Sequence, residues 1–125
     1  MINNNKFIIW GRTFSLPVKY MQYTGQGILP EQNIALELFL KNVCFSDTVK
    51  KKVESFCYEQ NKQEVQTENT DNIFRYIMPQ YLFIPRNEER TVALMCSYKF
   101  NMEQGIAIVF KNETLFEVGF QDIIL

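Results

Sequence analysis

The chain has 125 residues, 46% hydrophobic, 14% aromatic and 22% charged; a single domain takes ~100–200 residues, so one self-supporting domain over residues 1–125 is expected and global disorder is excluded. A formal net charge of −1 excludes the whole-chain basic surface that neutralises phosphates, so nucleic acid is not an expected partner. No apolar run approaches the ~20 residues that cross a bilayer, so neither is a membrane.

Phe7 to Trp10 form a short β-prone run, and Gly11-Arg12 reads as a two-residue hairpin turn with Gly first. Phe14, Leu16, Val18 and Tyr20 then alternate with Thr13, Ser15, Pro17 and Lys19, the period of a strand with one buried face. Pro17 has no amide proton and belongs on an edge strand or at a bulge. Gly25, Gly27 and Pro30 mark a loop, with Pro30 suited to a first helical turn. Ile34, Ala35, Leu38, Phe39 and Val43 fall at helical spacing. Ser46 or Asp47 caps a second helix whose stripe is Val49, Val53, Phe56 and Cys57, with Lys50-Lys51-Lys52 pointing away as a solvated face.

The polar stretch from Gln60 to Asn69 reads as a mobile loop. Asp71 caps a short third helix carrying Ile73, Tyr76 and Ile77, which Pro79 ends. Tyr81 to Pro85 form a strand and Arg86 to Glu89 a charged turn. From Thr91, the residues Val92, Leu94, Cys96, Tyr98 and Phe100 alternate with Ala93, Met95, Ser97 and Lys99. Asn101 to Gln104 turn the chain into Gly105–Phe110, a run apolar on both faces as in a central strand. Asn112-Glu113 turn it again, and Leu115 to Phe120 return. Strands, then helices, then strands predict an α+β fold: an antiparallel sheet made of an N-terminal hairpin and a C-terminal meander, with two or three helices on one face.

Histidine is absent, which removes Ser-His-Asp and Cys-His nucleophilic pairs, His-bearing zinc sites and the usual neutral-pH proton shuttle. The three cysteines, Cys44, Cys57 and Cys96, are odd in number and form no CxxC; free thiols in a reducing compartment are expected. The first residues carry no long apolar segment of a secretory signal, and the cytoplasm is the expected location. Gly25-Gln26-Gly27 lacks the third glycine of a dinucleotide fingerprint. Ser97 sits within a strand, away from any nucleophile elbow. Glu103, Glu113, Glu117 and Asp122 cluster at the turns and last strand without the spacing of a metal loop. No catalytic residue, cofactor or metal is therefore expected.

The segment Gly105-Ile106-Ala107-Ile108-Val109-Phe110, preceded by Glu103-Gln104, and the ending Val118-Gly119-Phe120-Gln121-Asp122-Ile123-Ile124-Leu125 resemble the close of a family of small uncharacterised bacterial domains. There a Glu-His-Gly-Ile-Ala-like turn precedes the strand and Ile-Gly-x-Gln-Asp closes the chain. Trp10-Gly11 and the helix around Ala35 to Leu40 also fit. Gln104 stands where the pattern has His, so no role of that histidine carries over. The family is similar in size and style to the immunity and accessory proteins encoded beside bacterial toxins, which implies a binding function.

The expectation is thus a non-catalytic protein-binding domain, with an immunity protein that binds a cationic toxin as its sharpest form. A structural or homo-oligomeric accessory protein and a carboxylate- or Tyr-dependent enzyme are the alternatives. The expected partner surface is a negative stripe formed by Glu103, Gln104, Glu113, Glu117 and Asp122.

Overall fold

A computed structural model describes residues 4–22, 25, 27–68, 72–86 and 89–125 of the chain. The elements run β1 (Asn4–Ile9), β2 (Arg12–Tyr20), α1 (Pro30–Asn42), α2 (Asp47–Gln60), α3 (Lys62–Glu68), a 3-10 turn at Ile73–Arg75, β3 (Ile77–Ile84), β4 (Thr91–Tyr98), β5 (Ile106–Lys111), β6 (Thr114–Phe120) and a second 3-10 turn at Gln121–Ile123. The strands lie side by side in sequence order, leaving β1 and β6 at the edges. All neighbours are antiparallel except β2 and β3, where Val18 faces Leu82 in a parallel pair. The helices form the crossover that such a pair requires. The fold is α+β, and the hairpin and meander are as expected, joined by one parallel seam.

Several local details differ from the sequence reading. The first hairpin turns at Trp10-Gly11, one residue earlier than Gly11-Arg12, because Ile9 pairs with Arg12. Both turn residues have positive φ, 45° and 82°, the conformation whose twist matches the strands. Trp10 is held there by its indole, which donates to the Ser46 carbonyl at 3.2 Å and contacts the rings of Phe45 and Phe74. Pro17 lies in an interior strand, opposite Asn4. Pairing with β3 begins one residue later, at Val18, so no rung to β3 needs the missing amide proton.

The stretch expected to be a mobile loop contains α3. Gln, Lys and Glu are good helix formers, and one apolar residue, Val65, suffices to dock the turn against the core. The third helix expected around Ile73 to Ile77 is only the 3-10 turn, capped by Asn72, whose Oδ1 accepts from the Phe74 amide at 3.1 Å; the expected cap Asp71 lies outside the described residues. Ile77 already opens β3, which passes through Pro79 by a register shift between Pro79 and Tyr81, the bulge a proline needs inside a sheet. Asn87 and Glu88 of the charged turn also lie outside the described residues.

The main core lies between the helices and one face of the sheet. Ala35 and Phe39 of α1 and Val49, Val53 and Cys57 of α2 meet Leu82, Val92, Leu94, Ile108 and Phe110. Ser46 caps α2, its Oγ accepting from the Val49 amide at 3.4 Å. On α1 the expected stripe is shifted: Ile34 is 47% exposed, while Gln32 is buried. The Gln32 amide donates to the carbonyls of Met21 and Ile84, both at 3.0 Å, and so ties the start of α1 to the ends of β2 and β3.

β4 is buried on both faces. Ala93 and Met95, on the face opposite Val92 and Leu94, join Phe83, Ala107 and Val109 in a second cluster against Met21, Tyr81 and Ile124. The last residues fold back over this face; a Cβ on Gly119 would lie 2.9 Å from Ile123 Cδ1.

Candidate functional site

The two motif segments meet at one end of the sheet. Gly105 has φ +60°, and a Cβ there would lie 2.6 Å from both the Cys96 carbonyl oxygen and Gln121 Nε2. Gln121 uses that space: its Nε2 donates to the Cys96 carbonyl at 3.1 Å, and its backbone amide donates to the Gln104 carbonyl at 3.3 Å. Gly105, Gly119 and Gln121 are therefore a clasp that locks the chain's last turn onto β4 and β5. Glu103, Gln104 and Asp122 surround the clasp and are exposed.

At the far end of β5, Asn112 and Glu113 make a turn with both φ positive, 51° and 64°. Glu113 forms a two-pronged ion pair with Arg90, Nε to Oε2 at 2.9 Å and Nη2 to Oε1 at 3.1 Å, and this hydrogen bonding holds the Arg90 pKa above its ordinary value. Its charge is thus matched within the molecule. Lys111 pairs with Glu89 at 3.7 Å and lies 3.9 Å from the centre of the Phe116 ring. Glu117 stands opposite Val109 in mid-strand and is exposed. No ion pair among the described residues engages Glu103, Glu117 or Asp122. The five residues named from sequence are spread along β5 and β6: three at the clasp, one in the middle, and one at the far turn tied to Arg90.

Beside them is a feature that sequence reading missed. An open cleft of about 480 Å³ runs between α2 and β6, lined by Lys52, Ser55, Phe56 and Glu59 on the helix and by Leu115, Phe116, Glu117 and Val118 on the strand. The register slips so that Val109 faces Glu117 while Phe110 faces Leu115. Phe116 is the extra residue of this bulge, and its side chain, 58% exposed, turns away from the core. Period-two alternation gives no sign of a bulge. The sequence signal that was available is the position of the strand, last in a meander and therefore at an edge.

The groups with strongly perturbed acidity lie elsewhere, in the core. Burial pushes the Cys57 thiol up to about 12, the hydrogen bond from Tyr98 opposing it in part. Burial also raises Cys96 and Tyr98. The Tyr98 hydroxyl donates to Asn61 Oδ1 at 2.6 Å. These groups stay protonated and reinforce the core. Cys44, Cys57 and Cys96 are all free thiols. Among the described residues no three His, Cys, Asp or Glu side chains could hold a metal ion, and no helix is long and apolar enough to cross a membrane.

A model for a domain of unknown function, DUF6985, matches residues 25–125. The chain belongs to the DUF6985 family. No curated protein and no solved structure matches it. The DUF6985 span takes in the helices, β3 to β6, the clasp and the cleft; the β1–β2 hairpin precedes it.

Proposed function

We propose that this DUF6985 domain is a non-catalytic protein-binding module that engages its partner along β6 and the α2–β6 cleft. The observation that carries this reading is Phe116, a large apolar side chain 58% exposed on an edge strand and bordering the cleft. An aromatic anchor beside a concave strip is the usual centre of a protein interface. Glu117 supplies a charge at the same place, and Glu103 and Asp122 extend the negative surface towards the clasp. In its sharpest form the partner is a cationic bacterial toxin and the domain its cytoplasmic immunity protein. The resemblance of the Glu103–Phe110 and Val118–Leu125 segments to a family of small uncharacterised bacterial domains, itself similar in size and style to toxin-associated immunity proteins, supports that form.

The test is a photoreactive residue placed at Phe116, with Ile34 on α1 as the control position, in the native cell. The expected result is an adduct with one protein from position 116 and none from position 34. That protein, purified, forms a stoichiometric complex that Phe116→Asp abolishes. For the immunity form, it arrests growth alone and is harmless beside the wild-type domain. No adduct, or equal adducts from both positions, contradicts the proposal.

A further inference from the structure

We infer that the partner's contact segment is an extended chain that adds to β6 as a seventh, antiparallel strand, with basic residues in its N-terminal half and an acidic residue towards its C-terminal end. This rests on the protein-binding reading and names the chemistry of the segment that would fill the site.

The first support is the edge itself. Among the described residues β6 pairs with β5 alone, so its outer N–H and C=O groups are a template for another strand. The bulge at Phe116 interrupts that template near its start, which shortens the usable edge to Glu117–Phe120 and discourages indiscriminate pairing. It also leaves the Phe116 ring where the side chain of an incoming residue would pack.

The second support is the charge pattern along the cleft. Phe45, just before α2, contacts Phe110 at 5.4 Å between ring centres, and Phe110 pairs with Leu115. Phe56, later in α2, contacts Phe120 at 5.2 Å. α2 and β6 therefore run in the same direction. Lys52 lies near the start of β6, with Lys111 across the Phe116 ring. Glu59 lies near its end, where Asp122 follows and Glu103 belongs to the adjoining turn. Lys52 makes one end of the cleft positive, Lys111 there being paired with Glu89, and Glu59 and Asp122 make the other end negative. Antiparallel addition, the more stable pairing per residue, brings the strand in at the negative end, so its N-terminal half carries the cations.

A second copy of this chain does not fit. β6 itself, Thr114–Phe120, contains no basic residue, so a copy of it adding antiparallel would bring no cation to the negative end.

The test titrates isotope-labelled domain with two synthetic octapeptides, Lys-Val-Lys-Val-Thr-Val-Glu-Val and its charge-reversed counterpart, and follows amide shifts. The expected result is shifts confined to Glu117–Phe120 and the Lys52, Ser55 and Glu59 wall, with about tenfold tighter binding of the basic-first peptide at low salt. Glu59→Lys, which reverses the charge facing the peptide's cations, should remove most of that preference and leave the unbound spectrum otherwise intact. Shifts at the β1 edge around Lys6 and Ile8, equal binding of both peptides, or no shifts would overturn the inference. If the partner captured at position 116 binds while the peptides leave β6 unperturbed, strand addition fails and the protein-binding reading survives. If neither binds, both fail.

Discussion

Gly105 and Gln121 have the closest geometric fit of any pair in the molecule's motif. Replacing Gly105 with Ala places a Cβ 2.6 Å from the backbone oxygen of Cys96, which cannot swing aside as a side chain tip can, and adds the penalty of a positive φ. The expected loss is about 2 kcal/mol or more, read from the urea midpoint at unchanged slope. A second residue-scale expectation concerns pH. Cys57 ionises near 9.0 when unfolded and is pushed up to about 12 when folded. The unfolded chain therefore releases its proton first as pH rises. Stability from this thiol is complete below about pH 9 and declines through the interval up to about 12. Cys96 and Tyr98 shift in the same direction. The urea midpoint should fall between about pH 7 and about pH 10.5, and fall less in Cys57→Ala.

At the scale of elements, α3 shows how far sequence reading reached. The alternations of β2 and β4 and the helical stripe of α2 were legible because each carries several apolar residues in one period. The main-core face of β4, from Val92 through Leu94 and Cys96 to Tyr98, is fully enclosed as that period predicts. α3 has only Val65 to mark its inner side, so composition favoured a loop. Pro79 was misleading because a bulge absorbs it, an event no local rule announces. Phe116 was hidden for the same reason: alternation assigns it a face, and a one-residue bulge takes it away. The motif around Gly105 and Gly119 was visible, but its role as a clasp was not, because the two segments are brought together by the β5–β6 pairing. If Val65 alone docks α3, Val65→Asp should abolish amide protection over residues 62–68 and leave that of β4 and β5 in place. Loss of protection throughout the sheet would mean α3 is part of the global folding unit.

Across the whole molecule, each sheet edge has an exposed apolar residue beside a cleft, Ile8 on β1 (64% exposed, about 520 Å³) and Phe116 on β6 (58%, about 480 Å³), and the span of the family domain distinguishes them. The β1 edge belongs to the hairpin that precedes the DUF6985 span, although Ile9 and Leu16 of that hairpin are core residues. The β6 edge belongs to the family domain and has beside it the cleft, the exposed Phe116 and Glu117, which no ion pair among the described residues engages. Charges near it, at Glu103 and Asp122, would speed encounter with a cationic partner more than they would tighten the final complex. The most direct measurement is hydrogen exchange on the domain, free and bound to the protein captured at position 116. The account predicts that Glu117 to Phe120 gain strong protection, with weaker gains in α2 and none in β1. Protection that falls on β1, or that leaves β6 exchanging as fast as in the free domain, would contradict it.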